Sequence, residues 1–192
     1  KAFYRRGFRA FKVKIGRDPD LDLQRALAVK RIIKTSRLYL DANQGYTGEQ
    51  TVRFLKALNK HGVKPDLVEQ PVPREDWEGL KRVTRLSDVP IAADESVSNL
   101  RECMRAIREK AVDVINVKLM KSGLIEAREI VLWSKAAGLG VMIGGMMESS
   151  LAMTCSAHLA AGLGCIDYCD LDTPFFLKDQ ARHPYLSSSG VY

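Results

Sequence analysis

Five ionisable residues stand where short apolar runs end. Lys14 closes Phe11-Lys12-Val13, Asp41 closes Leu38-Tyr39-Leu40, and Glu69 closes Leu67-Val68. Asp94 closes Ile91-Ala92-Ala93, and Lys118 closes Val114-Ile115-Asn116-Val117. They recur every 24 to 28 residues, the length of one strand, one helix and two loops. Three carboxylates brought to one place repel unless a cation neutralises them. All-oxygen donors from separate elements suit Mg²⁺, which leaves positions open for water or substrate. A lysine at a poorly solvated strand end, near other cations, is a usable base. Lys14 and Lys118 lie on strands to either side of the acids. Two such bases flanking one metal would take a proton from one face of a carbon and return it to the other. Lys12 shares a strand face with Lys14 and would add positive charge beside a reacting carboxylate. Each residue also has a plainer reading, the acids as loop starts or helix caps and each lysine as a solvated charge. Lys121 is given the plainer one.

The elements that position these residues alternate. Strands are expected at residues 8–15, 38–40, 67–68, 90–93, 112–119, 141–143 and 167–172. Helices are expected at 19–35, 76–86, 99–109, 124–137 and 150–161, with another opening at the Thr47/Gln50 capping box and ending at Gly62. Asp18-Pro19 supplies an N-cap and a first-turn proline. Leu23, Leu27, Ile32, Ile33, Val52, Leu55, Leu58, Met104 and Ile107 are expected to face the core. Alternation of this kind implies a parallel sheet. No Gly-x-Gly-x-x-Gly or phosphate loop follows the first strand, which argues against an open nucleotide-binding sheet. The fold class expected is α/β, a TIM-like (β/α)7β barrel with its chemistry on the C-terminal rim. The unit count falls one short of eight, so the first strand is expected upstream of Lys1. Residues 1–178 are assigned to the barrel and 179–192 to a C-terminal tail. No residue-level repeat is visible.

With 192 residues and 46% hydrophobic content the chain can build one sizeable core. A net charge of +7 is spread over helix faces without an aromatic-interleaved basic cluster, which speaks against nucleic acid. No apolar run is long enough to span a membrane. Of the four cysteines, Cys103 and Cys155 fall in expected helices and are assigned to the core as free thiols of a reducing, cytoplasmic compartment. No histidine sits at a strand end.

Taken together, Lys12-Val13-Lys14, Asp41-Ala42-Asn43, Glu69-Gln70-Pro71, Asp94-Glu95-Ser96 and Lys118-Leu119-Met120-Lys121-Ser122-Gly123 resemble the enolase superfamily, in its muconate-lactonising-enzyme subgroup. A lysine base with magnesium-assisted enolisation is the known chemistry of that superfamily. The resemblance implies Mg²⁺ on Asp41, Glu69 and Asp94, with Asn43 and Glu95 behind them. It implies Lys14 and Lys118 as acid/base pair, and Lys12 helping to stabilise an enediolate. The last strand carries Asp170-Leu171-Asp172, two acids that want a cationic group and resemble the substrate-ammonium site of dipeptide epimerases. Gly145, Met147 and Glu148 match the same group in position and would line the site. The implied activity is 1,1-proton transfer at the α-carbon beside a dipeptide's carboxylate. N-acyl(succinyl) amino acid racemase, o-succinylbenzoate synthase and muconate cycloisomerase activities are the alternatives, and a non-catalytic barrel fragment is the alternative outside enzymology. A small-molecule partner is expected, with no nucleic acid or membrane, and a homo-oligomer is possible. The resemblance also implies an N-terminal capping domain, which this sequence lacks. Leu124 stands where the family often has a second glycine after Gly123.

Overall fold

The computed structural model describes residues 1–176. The expected tail at 179–192 lies outside the described residues, as does the last part of the expected barrel. The chain divides into two compact units, Lys1–Ser96 with Arg108–Asp113, and Val97–Ile107 with the chain from Val114 on.

The first unit opens with a short helix α1 (Ala2–Arg5) and then alternates: β1 (Ala10–Lys14), α2 (Pro19–Ile33), β2 (Arg37–Asp41), α3 (Gly48–Lys60), β3 (Leu67–Glu69), α4 (Trp77–Leu86) and β4 (Ile91–Ala93). Asp18 caps α2 by accepting from Asp20 N and Leu21 N, and Thr47 and Gln50 complete a reciprocal capping box on α3. Asp76 caps α4 through Gly79 N. The strands pair in parallel, β1 with β2, β2 with β3 and β3 with β4. Leu38, Leu40, Leu58, Leu67, Leu80 and Ile91 are fully buried. Each contributes roughly 1.5–3 kcal/mol of apolar burial.

The second unit holds most of α5 (Leu100–Glu109), then β5 (Val114–Val117), α6 (Leu119–Ala136), β6 (Gly140–Gly144), α7 (Ser150–Leu163), β7 (Tyr168–Asp170) and a 3₁₀ turn at Thr173–Phe175. β5 pairs with β6 and β6 with β7, again in parallel. Gly123 breaks α6 with φ 69 and ψ −179, so a single turn precedes the helix proper. Ile143, Met153 and Leu171 form a buried cluster, with Ala157, Leu159, Ala160 and Ile166 against it.

Several expectations need correction. Met104 is 39% exposed; α5 buries Cys103, as expected, together with the small Ala106. In α2 and α3 the fully buried positions are Asp22, Ala26 and Ile33, then Thr51, Phe54 and Leu58; Leu23, Leu27, Val52 and Leu55 are only half-buried. Cys155 is exposed because α7 turns Met153 and Ser156 inward; all four thiols are free and only Cys103 is buried. A residue-level repeat does exist, at the strand starts. Asp66 donates its N–H to Leu38 O (2.8 Å) and accepts from Leu38 N at Oδ2 (2.8 Å). Asp113 does the same to Ile91 (2.9 and 2.9 Å), and Asp167 to Val141 (2.9 and 2.8 Å). In each case an aspartate just before one strand clamps the first residues of the strand preceding it. Each clamp satisfies a backbone N–H that would otherwise lose its partner at the sheet's end.

Candidate active site

In the first unit the register aligns the chemistry. Lys14 is the partner of Asp41 across β1 and β2, and Asp41 is the partner of Glu69 across β2 and β3. Glu69 pairs with Ala92, and Asp94 lies two residues further along. Asp41 and Glu69 are 0% exposed and Asp94 1%. Buried carboxylates are tolerable only when charge or hydrogen bonds compensate the loss of water. Lys12 supplies the charge, with Nζ 3.2 Å from Asp41 Oδ2 and 3.1 Å from Glu69 Oε2. Lys14 Nζ lies 2.6 Å from the same Asp41 oxygen and donates to Asn43 Oδ1 at 2.7 Å. The two differ in solvation: the Lys12 side chain is 13% exposed and that of Lys14 is 62%. Lys12 is an internal counter-charge, whereas Lys14 is a tethered ammonium open to an incoming molecule.

Asn43 is the hub behind Lys14. Its N–H donates to Asp41 Oδ1 (3.0 Å) and its Nδ2 to Glu95 Oε1 (3.2 Å). Asn43 and Gln44 both adopt left-handed backbone, with φ 41 and 69. Such positions cost about 1–3 kcal/mol each and persist only where surroundings fix them. Here Gln44 N donates to Gln70 O and Gly45 N to Ala42 O, while Gln44 Oε1 accepts from Arg74 N.

Gln70 is a site residue that the sequence reading passed over. It is 0% exposed, with φ 33. Its Nε2 donates to Val72 O and Ser96 Oγ, and its Oε1 accepts from Asp94 N and Ser96 N. One amide thus fixes the backbone that presents Asp94. Its signal was its place beside Glu69, next to Pro71.

The loops after β1 and β2 are also locked together. Gly16 has φ +100, and a Cβ there would lie 2.2 Å from Ala42 O; one on Gly45 would lie 2.0 Å from Gly16 O. Neither position admits a side chain. Asp22, 1% exposed, accepts from Gly16 N, Arg17 N and Tyr46 Oη, and pairs with Arg25 at 2.6 Å. Burial pushes the Tyr46 phenol far above its ordinary pKa, and the bond and charge of Asp22 push it further, so it stays a donor.

In the second unit Lys118 is 7% exposed and precedes the first turn of α6. Lys121 is not the solvated charge expected of it: Nζ donates to Val97 O and Asn116 O, both at 2.8 Å, and it is structural. Glu148, 4% exposed, accepts from Met146 N at 2.9 Å, so its carboxylate holds its own loop. A Cβ on Gly145 would meet Met153 at 2.8 Å, while Met147 is 72% exposed. Asp170 ends β7 beside Gly144. The strand stops there, short of the expected 172, because Asp172 turns to helical backbone (φ −90, ψ −8). Asp172 heads the 3₁₀ turn without a side-chain capping bond, so capping does not explain that acid.

Among the described residues, no three His, Cys, Asp or Glu side chains already form a group that could hold a metal ion. Asp41 and Glu69 instead share the ammonium group of Lys12, and Asp41 also pairs with Lys14. The donor chemistry still fits a small hard cation. Three buried carboxylates sit on neighbouring strand ends, and Glu95 Oε2 is buried with no hydrogen-bond partner.

These features have close counterparts. Residues 1–190 match the family described as Enolase C-terminal domain-like. The chain is 50% identical to a hydrophobic dipeptide epimerase of Citrifermentans bemidjiense over all of this chain and 53% of that protein. A mandelate racemase/muconate lactonizing enzyme from Roseiflexus sp. superposes with TM-score 0.91 at 47% identity, over 93% of this chain and 52% of that one. A dipeptide epimerase from Enterococcus faecalis, solved with Mg and the dipeptide L-Leu-L-Tyr, gives TM-score 0.90 at 38% identity, over 93% and 51%. The fold is therefore of the TIM-like (β/α) barrel class. This chain belongs to the Enolase C-terminal domain-like family, and it spans about half the length of the curated relatives it matches.

Proposed function

We propose that the protein containing this chain is a Mg²⁺-dependent dipeptide epimerase acting at the α-carbon beside the substrate's carboxylate. The observation that carries the reading is the row Lys14–Asp41–Glu69 with Lys12 bridging the two acids. Asp41, Glu69 and Asp94 would hold Mg²⁺, which when bound supplies the positive charge that acidifies a proton next to a carboxylate. Lys14, open to solvent and anchored by Asn43, would carry a proton on one face of the α-carbon. Inversion needs a second carrier, and Lys118 is the assigned partner. Lys12 places a fixed cation where negative charge builds up as the proton leaves. Asp170 and Asp172 would receive the ammonium of the dipeptide's first residue. The relatives' names support a dipeptide over other carboxylates, and the active protein is expected to act on small molecules.

The test is solvent exchange. Full-length protein in D₂O with Mg²⁺ is given L-Ala-L-Glu and L-Leu-L-Tyr, and deuterium at the C-terminal residue's α-position is followed. Incorporation with loss of stereochemical purity is the expected result. Absence of exchange with every dipeptide, alongside turnover of an N-succinyl amino acid, would move the assignment to the racemase alternative. No Mg²⁺ binding by calorimetry would favour a non-catalytic module.

A further inference from the structure

Gly144 is a glycine without a backbone reason to be one. It is absent from the residues with positive φ, so its conformation is open to any side chain. What it lacks is room. A Cβ at this position would lie 2.7 Å from Asn116 Oδ1, 3.0 Å from Asn116 Nδ2 and 3.2 Å from Lys118 Cε. Register explains the crowding. Asn116 pairs with Met142 and Val117 with Ile143, which brings the next residue, Lys118, beside Gly144; Gly144 in turn pairs with Asp170. Asn116 and Lys118 are two apart and lean to the same side, over the bare Cα. Asn116 is 0% exposed and Lys118 7%, so neither can swing into solvent to make space.

We propose that Gly144 and Asn116 are positioning residues that set the reach of Lys118: the missing side chain opens a slot, and the Asn116 carboxamide forms its wall. The stem of Lys118 runs through that slot, and its ammonium is delivered at one fixed depth. This rests on Lys118 being one of two proton carriers. A fault in its placement therefore affects one face of the α-carbon only.

The experiment uses full-length protein, wild type and Gly144→Ala, with each epimer of a dipeptide supplied separately in D₂O. Initial α-proton exchange is measured for both. Exchange from the epimer served by Lys118 should fall at least ~10-fold, since general-base efficiency follows close placement, while the other epimer changes less than about 2-fold. KM for both epimers should hold. Adding Asn116→Ala to Gly144→Ala removes the wall that the new methyl strikes and should recover part of the lost exchange, no further than the level of Asn116→Ala alone. Equal losses for both epimers, or no loss, would overturn the inference, because a merely structural glycine has no reason to prefer a face. If Gly144→Ala does not fold, Asn116→Ala alone decides: it should loosen Lys118 and lower exchange for the same single epimer, and a symmetric change or none counts against it. Wild-type protein that exchanges neither epimer would reject the epimerase reading itself, a separate outcome from symmetric loss in the variants.

Discussion

Lys12 and Lys14 converge on one oxygen, Asp41 Oδ2, at 3.2 and 2.6 Å, from side chains 13% and 62% exposed. Removing each should therefore have different effects. Lys12→Met strips the internal cation from two buried carboxylates, and losing one partner of a buried pair costs roughly 3–5 kcal/mol. Thermal melting of the full-length variant in EDTA should show that loss, and millimolar Mg²⁺ should recover part of it. Lys14→Met should shift stability by less than about 1 kcal/mol, as for an exposed ion pair, yet abolish exchange at one face. Equal destabilisation by both would contradict the assigned division of roles.

The Gln70 side chain makes four hydrogen bonds inside the protein, two given and two received. Gln70→Glu keeps the shape but cannot donate to Val72 O or Ser96 Oγ, and it buries a charge. A loss of about 2–4 kcal/mol in urea unfolding is expected for Gln70→Glu and for Gln70→Ala, through partners left unsatisfied. Because Gln70 Oε1 anchors Asp94 N, Mg²⁺ affinity by calorimetry should fall in Gln70→Ala, whereas Gln70→Glu keeps that acceptor oxygen. Unchanged metal affinity in Gln70→Ala would show that Asp94 is placed by other contacts.

Tyr46→Phe removes one donor from the buried Asp22 carboxylate while keeping the ring packed 5.6 Å from that of Phe54. A loss of about 1–2 kcal/mol is expected. The phenol's pKa is raised well above the ordinary tyrosine range, so that loss should be the same at pH 7 and pH 9. A gap that closes at pH 9 would mean Tyr46 ionises there.

The clamps at Asp113 and Asp167 should respond to pH in opposite senses. Burial raises Asp113, so its ionised form is disfavoured in the folded state. Wild type then gains stability as pH falls from the raised folded value to the ordinary one, and pays a constant penalty above that window. Asp113→Asn keeps an acceptor for Ile91 N and should be most favourable, relative to wild type, at neutral pH. Asp167 goes the other way. Burial raises it, but the bond from Val141 N and the bond and charge of Lys135 outweigh burial and leave it below its usual value. Its contribution is present at neutral pH and lost as pH falls through the lowered folded value. Asp167→Asn should be less stable than wild type at pH 7, with the difference vanishing in acid. Melting curves from pH 3 to 8 check both signs.

Strand and helix order was legible because apolar runs and turn residues repeat. Caps at Asp18 and Thr47 marked helix starts closely, since capping is local chemistry. The aligned residues at strand ends were legible for the same reason: each ends an apolar run. Contacts between loops were not. Nothing in the sequence says that Gly16 and Gly45 approach within a side chain's width, or that Lys121 would spend its charge on two carbonyls. Core facing was misjudged where a small residue did the burying, as with Ala106, because hydrophobicity points to Met104; the burial of Cys103 was legible. The strand starts hid their repeat, since a single aspartate before each of three strands is too sparse a pattern to stand out.

The aspartate clamps fall at Asp66 with Leu38, Asp113 with Ile91, and Asp167 with Val141, so they join strand starts in couples and leave gaps between the couples. New chain termini, grafted segments or split halves cut inside a couple would sever a clamp; cuts between couples would leave every one intact. Whoever shuffles pieces among relatives of this chain has natural joints there, at the end of the strands away from the chemistry.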